Sequence, residues 1–205
     1  MRIPVFLSYP KPHWGRQQAF IGKLETYLRG RGLEPRTVGV TDYDMDAPLK
    51  AIRRLMLESN GLITVAFRRT LILDGRSRPD ADLPGAKEAV VRDTWLTSPY
   101  CQIEPAMAYQ LGLLTLILRE HGVHQERLLE KGVVGTYMPE FSIEADAADY
   151  LESPEWNDLI GKWEGFVRAV VDKKGNPPRL YQDRRWLANN SMRRTALHAA
   201  ADAGP

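Results

Sequence analysis

The chain has 205 residues, 43% of them hydrophobic, which suits one domain with additions and a sizeable core. Its 28 Lys and Arg stand against 26 Asp and Glu for a net charge of +2, so there is no general electrostatic case for binding nucleic acid. A single cysteine, Cys101, excludes an internal disulfide framework and a cysteine-rich zinc site, and no apolar run reaches the roughly 18 residues of a membrane span.

Ile3-Pro4-Val5-Phe6-Leu7-Ser8-Tyr9 is an apolar run closed by Pro10, Pro12 and Gly15, and it predicts a buried strand. It begins almost at Met1, so no signal peptide is expected, and one free cysteine fits a reducing, cytoplasmic location. Gln17 to Arg31 carries Phe20, Ile21, Leu24, Tyr27 and Leu28 at helical spacing and ends at Gly32. Glu34 to Val40 is a second predicted strand. The acidic loop Asp42 to Asp46 leads into a helix with Leu49, Ile52, Leu55 and Met56, and Asp44 or Asp46 is placed to cap it.

Gly61 to Phe67 is the clearest buried strand. Arg68 to Thr97 follows as a long polar insertion with Asp74-Gly75 and Pro84-Gly85, read as irregular except for a short helix near Ala86 to Asp93. Ile103 to Leu111 predicts a helix, Leu113 to Leu118 a strand, Gln125 to Lys131 a helix and Val133 to Met138 a last strand. Ser153 to Val171 is an amphipathic helix with Trp156, Leu159, Ile160, Trp163, Phe166 and Val167 toward the core. This alternation predicts an α/β fold over residues 1–174: a doubly wound parallel sheet of about five strands with helices on both faces. After Asn176-Pro177-Pro178 the character changes, and 175–205 is expected to be an appendage, partly helical or disordered.

In such a sheet the carboxyl ends of the strands converge, and ligands bind there. Ser8 and Tyr9 end the first strand, Asp42 and Asp44 follow the second, and Phe67 and Arg68 end the third. Ser98-Pro99-Tyr100-Cys101-Gln102-Ile103-Glu104 sits at a loop-to-helix junction, which makes Glu104 the candidate catalytic acid. Trp95, Tyr100 and Ile103 are placed to wall it and raise its pKa by desolvation. Each residue also has an ordinary reading: turn and cap duty for the aspartates, solvation for Arg68 and Arg69, packing for Cys101. No strong base adjoins Cys101 in sequence to make it a nucleophile. His13, His121, His124 and His198 form no metal-ligand pattern, so no metal site is expected.

Val5-Phe6-Leu7-Ser8-Tyr9 resembles the opening strand of Toll/interleukin-1 receptor (TIR) domains, which commonly ends in Ser-Tyr. Asp42 to Asp46 falls where that family has its BB loop, and Ser98-x-x-Cys101-x-x-Glu104 resembles its Ser-x-Trp-Cys-x-x-Glu signature, with Tyr100 in place of Trp. The order of elements agrees from about Arg2 to Lys174, which implies a TIR or flavodoxin-like sheet. The resemblance also implies that Glu104 acts in cleaving the nicotinamide–ribose bond of NAD, as substrate rather than cofactor, by hydrolysis or cyclisation. Ser8, Tyr9, Asp42, Asp44, Phe67, Arg68, Trp95, Ser98, Tyr100 and Cys101 then border the nucleotide. Such an effector, in bacterial defence or a stress response, implies a partner sensor protein or assembly into a homo-oligomer.

Two departures stand out: the insertion is longer than a typical family loop, and Pro105 directly follows the glutamate. Two other functions fit the same residues. One is a non-catalytic TIR-like module that signals by assembly. The other is an N-glycosidase of another class, because Glu104 to Gly112 also resembles the Glu-x-Gly-x-Ala pattern of nucleoside deoxyribosyltransferases, without its middle glycine.

Overall fold

The computed structural model describes residues 2–45, 47–133, 137–144 and 149–174. The elements follow one another as β1 (Ile3–Ser8), α1 (Gly15–Gly30), β2 (Leu33–Arg36), α2 (Pro48–Leu57), β3 (Leu62–Ala66), β4 (Thr70–Ser77), β5 (Ala89–Leu96), α3 (Tyr100–Gln110), β6 (Thr115–Glu120), β7 (Glu140–Phe141) and α4 (Pro154–Lys174). Five strands form one parallel sheet in the order β2-β1-β3-β6-β7, while β4 and β5 pair separately as an antiparallel hairpin. The fold is a doubly wound α/β sheet, as the alternation of elements predicts.

β1 and β3 lie inside the sheet and are covered on both faces, which explains why they read as nearly continuous apolar runs. Alternate residues serve opposite layers. Val5, Leu7, Ile63, Val65, Phe67 and Leu118 pack under α1 and α4. Phe6 and Leu62 pack under α2 and the C-terminal half of α3, while Ala66 and Ile117 meet Cys101 at the start of α3. Gly61 admits α4 closely: a Cβ there would sit 2.7 Å from Val167 and 2.9 Å from Trp163. The chain leaves β1 toward β2 on one side and enters β3 on the other, so the topology reverses between β1 and β3. Ser8 and Thr64 are register partners across that reversal.

Several expectations shift. Arg68 to Thr97 is not irregular: Thr70-Leu71-Ile72-Leu73 and Val90-Val91 are β-prone, and Asp74-Gly75 lies within β4 rather than in a turn. The short helix expected near Ala86 to Asp93 is replaced by β5. The last strand is Glu140–Phe141, not Val133 to Met138, of which 134–136 lie outside the described residues. Only a single 3-10 turn, Arg127–Leu129, stands where Gln125 to Lys131 was expected to be helical. Phe166 is 61% exposed and Leu49 51%, because each falls just off the buried stripe of its helix. Asp44 does not cap α2, whose N-cap is Ala47 with Pro48 as first helical residue; Asp44 pairs with Arg54 at 2.9 Å instead. Asp46 and the appendage at 175–205 lie outside the described residues. Among the described residues, no helix is long and apolar enough to cross a membrane.

Candidate active site

α3 starts three residues earlier than its apolar pattern suggests. Ser98 and Pro99 turn the chain, and the Ser98 and Pro99 carbonyls accept the Cys101, Gln102 and Ile103 amides at 2.9–3.0 Å. Glu104 is therefore not at a loop-to-helix junction but one turn inside α3. The buried residues of this helix are Cys101, Glu104, Pro105 and Ala108, spaced by three, four and seven from the first. Helical period alone thus puts the glutamate in the stripe that faces the sheet. Pro105 is interior to the helix, beyond the first turn where proline is freely tolerated, and it cannot donate to the Cys101 carbonyl.

Glu104 is 8% exposed, and the Ser8 hydroxyl is the hydrogen-bonding group at its carboxyl. Burial raises its pKa from 4.5 to about 7, while the nearby Ser8 hydroxyl pulls in the opposite direction. Ser8 is the last residue of β1 and points to the α3 face, as does Thr64 on β3 beside it. Both hydroxyls are buried; that of Thr64 has no hydrogen-bond partner, and that of Ser8 has none besides the Glu104 carboxyl. A desolvated acid, the Ser8 hydroxyl beside it and the unpartnered Thr64 hydroxyl therefore share one face at the point where the strand order reverses. Buried polar atoms are nearly always paired, so such a cluster calls for an explanation. In open α/β sheets this reversal is where ligands bind.

The other predicted residues separate into distinct places. Tyr9 turns to the opposite face, where burial and the Glu25 charge raise its pKa, and Phe67 packs in the core edge-to-face with Phe20. Asp42 is tied to Arg36, which holds its carboxyl below its ordinary pKa range against the opposing effect of burial. Cys101 is buried beside Ala66 and Ile117, and burial pushes its thiol up to about 12, which makes it packing rather than a nucleophile. Ser98 is buried with its hydroxyl at 3.4 Å from the Tyr100 amide, and Tyr100 itself is exposed on the first turn of α3.

Arg68 is occupied by protein partners. Its amide donates to Glu120 at 2.8 Å, its Nε to the His121 carbonyl at 2.6 Å, and its Nη1 pairs with Glu144 at 2.8 Å. Gln17 donates to the Arg68 carbonyl at 3.0 Å, and the guanidinium lies 6.0 Å from the Trp95 ring. Trp95 in turn meets Trp14 edge-to-face at 5.7 Å. Arg68 and Trp95 therefore clamp the base of the hairpin to β6. Thr64, Trp14 and Gln17 were not singled out by the sequence. Thr64 carries the one readable signal, a lone hydroxyl at every-other-residue spacing inside an otherwise apolar strand.

Two cavities lie away from Glu104. One of about 440 Å³ lies at the amino edge of β6, between Tyr109 and Gly112 and the last turns of α4. It is mostly apolar, lies at the opposite edge of the sheet from Ser8, and contains no acid. A second of about 350 Å³ lies between the start of α3 and the loop after β6. Among the described residues, no cluster of three or more His, Cys, Asp or Glu side chains is arranged to hold a metal.

No protein-family model and no curated protein matches the chain. Among solved structures it is similar to the CMP N-glycosidase BcmB of Clostridium botulinum, with 15% identity, a TM-score of 0.43, and 78% of this chain and 98% of that one covered. It is also similar to the TIR domains of the activated Roq1 resistosome, at 14% identity and TM-score 0.37, covering 83% and 84%. A 2-desoxiribosyltransferase from Leishmania mexicana is similar at 13% identity and TM-score 0.38, covering 81% and 97%. Likenesses this loose decide neither family nor activity; the sheet order and the buried acid stand on the chain's own geometry.

Proposed function

We propose that the protein cleaves an N-glycosidic bond, with NAD as substrate and Glu104 as the group at the ribose. One observation carries the reading: a desolvated carboxyl faces the strand reversal beside the Ser8 hydroxyl and the unpartnered Thr64 hydroxyl. Breaking the nicotinamide–ribose bond develops oxocarbenium character on the sugar, and a carboxylate held in a dry site stabilises that charge strongly. Ser8 and Thr64 supply hydroxyls for the ribose hydroxyls, which would satisfy both sides. Nicotinamide leaves without needing a proton, so one carboxylate suffices. The resemblance of Ser98-x-x-Cys101-x-x-Glu104 to the TIR signature supports the same assignment.

A second reading rests on the pKa near 7. A carboxyl half-protonated at neutral pH can also donate a proton, and a neutral nucleobase needs one to leave. A nucleoside or nucleotide N-glycosidase thus uses the same acid in its protonated form. In either case the covered carboxyl has to be reached, so the Asp42 loop or the Thr97–Tyr100 segment shifts to admit the sugar. Assembly into a homo-oligomer or onto a partner protein is our proposed trigger for that shift, and bacterial defence or stress signalling our proposed context.

Incubation of the concentrated protein with NAD or with deoxynucleosides, followed by chromatography of the released base, tests the proposal. We expect nicotinamide from NAD, and its loss in Glu104→Gln. Base release from deoxynucleosides alone selects the second reading. Silence on both, with concentration-dependent assembly, leaves a non-catalytic signalling module.

A further inference from the structure

We propose that residues 180–187 of this same chain dock in the 440 Å³ groove between α3 and α4 and cover the open edge of β6. Tyr109 from α3, Leu114 and Thr115 at the start of β6, and Phe166, Val170 and Lys173 from α4 line the groove. Two of these rings face solvent, Tyr109 being 67% exposed and Phe166 61%. An apolar hollow rimmed by bare aromatic rings is the mark of a docking surface.

The fold leaves an edge there to cover. α3 and α4 pack on opposite faces of the sheet, so a groove walled by both runs across the edge of β6. Beyond β6 the sheet continues only as β7, which pairs with Arg119 and Glu120. Among the described residues no strand lies beside 115–118 on that side, although β3 pairs with the same residues on the other. Proteins cover such edges, because a bare one pairs with other chains.

The place where α4 ends selects the occupant. Lys173 lines the groove and Lys174 is the last residue of the helix, so the chain that follows departs from the groove itself. Asn176-Pro177-Pro178 cannot prolong α4 and favours an extended path, since the residue before each proline is pushed out of the helical region. Leu180 lies six residues beyond Lys174, a reach of about 20 Å. The stretch of α4 from Phe166 to Lys173 is about 10 Å long, so the whole groove is within that reach. Leu180, Tyr181, Trp186 and Leu187 supply four large apolar side chains in eight residues. Asp183, the one acid among those eight, matches Lys173, the one charged residue of the lining. A tether this short holds the stretch at an effective concentration on the order of millimolar, which favours it over a second copy or a separate protein.

A spin label on the full chain tests this. Gln182→Cys puts the label inside the stretch, while Cys101 is buried with its thiol pushed up to about 12 and so stays unlabelled. Amide NMR of the isotopically enriched, spin-labelled chain should show broadening at residues 109–115 and 166–173 that does not change on dilution. Phe166→Asp, at an exposed position, should fold as the wild type does and weaken docking about tenfold or more. Leu180→Ser combined with Trp186→Ser leaves residues 2–174 untouched and should abolish the broadening. A mixture of spin-labelled chain with isotopically enriched, unmodified chain should show none; broadening there would seat a second copy in the groove and overturn the proposal. It is overturned as well if the groove signals of the labelled chain stay sharp, or if both variants broaden as the wild type does.

Discussion

A buried carboxyl with no countercharge costs stability in its charged form, and Glu104 makes that cost measurable. Below its unfolded pKa, near 4.5, the group is protonated in both states and neutral in effect. Between there and about 7 the folded state holds the proton more tightly, so stability falls as pH rises. Above about 7 the loss is complete, and at about 1.4 kcal/mol per pH unit it amounts to at most about 3.5 kcal/mol. Glu104→Gln should therefore melt above the wild type at pH 8 and alongside it near pH 4; equal melting at pH 8 would show that the acid is not desolvated. Thr64→Val removes a buried hydroxyl that has no partner, so it should leave stability unchanged or raise it by about 1 kcal/mol while weakening turnover. Ser8→Ala removes the group that draws the Glu104 pKa down, so the acid limb of the pH–rate profile should move to higher pH. An unmoved limb would separate Ser8 from the acid.

At the scale of elements, the hairpin of β4 and β5 and its clamp are what the sequence hid most effectively. Asp74-Gly75 and Pro84-Gly85 read as loop punctuation, yet the first pair lies inside a strand, where Asp74 pairs with Arg92 and Gly75 with Val91. Arg68 reads as a ligand-facing or solvated cation, but it is a hub that pins the hairpin base to Glu120, His121 and Glu144. Arg68→Ala strips the cation from Glu120, which is 1% exposed and already has its pKa raised by burial. The Glu120 pKa should then rise further, and the variant should lose about 2 kcal/mol or more, most at high pH and least below pH 4. Denaturant unfolding at the two pH values checks this; a defect independent of pH would assign Arg68 a packing role alone. Gly61→Ala tests the close approach of α4 and should cost about 1–3 kcal/mol, because Val167 and Trp163 have to give way.

For the molecule as a whole, burial decided what was readable. Val5-Phe6-Leu7 and Leu62 to Ala66 announced themselves as strands because both faces of the sheet are covered, and the alternation of elements then implied the parallel topology. Glu104 was legible as a candidate by its motif, but its inward direction came from the Cys101–Ala108 stripe, and its neighbour Thr64 was masked by the apolar run around it. Phe67 and Tyr9 belong to the opposite layer for the same reason of alternation, a distinction that proximity in sequence to Ser8 and Arg68 conceals. The account rests on one group acting as a carboxylate at a sugar. The most direct measurement is nicotinamide release from NAD between pH 5 and 9 by the concentrated protein and by Glu104→Gln, with pH values bracketing the acid's pKa of about 7. We predict that kcat/KM of the wild type rises with pH and levels off above about 7, and that the variant is slower by about 10²–10³-fold or more. A variant that releases nicotinamide at the wild-type rate would contradict the account.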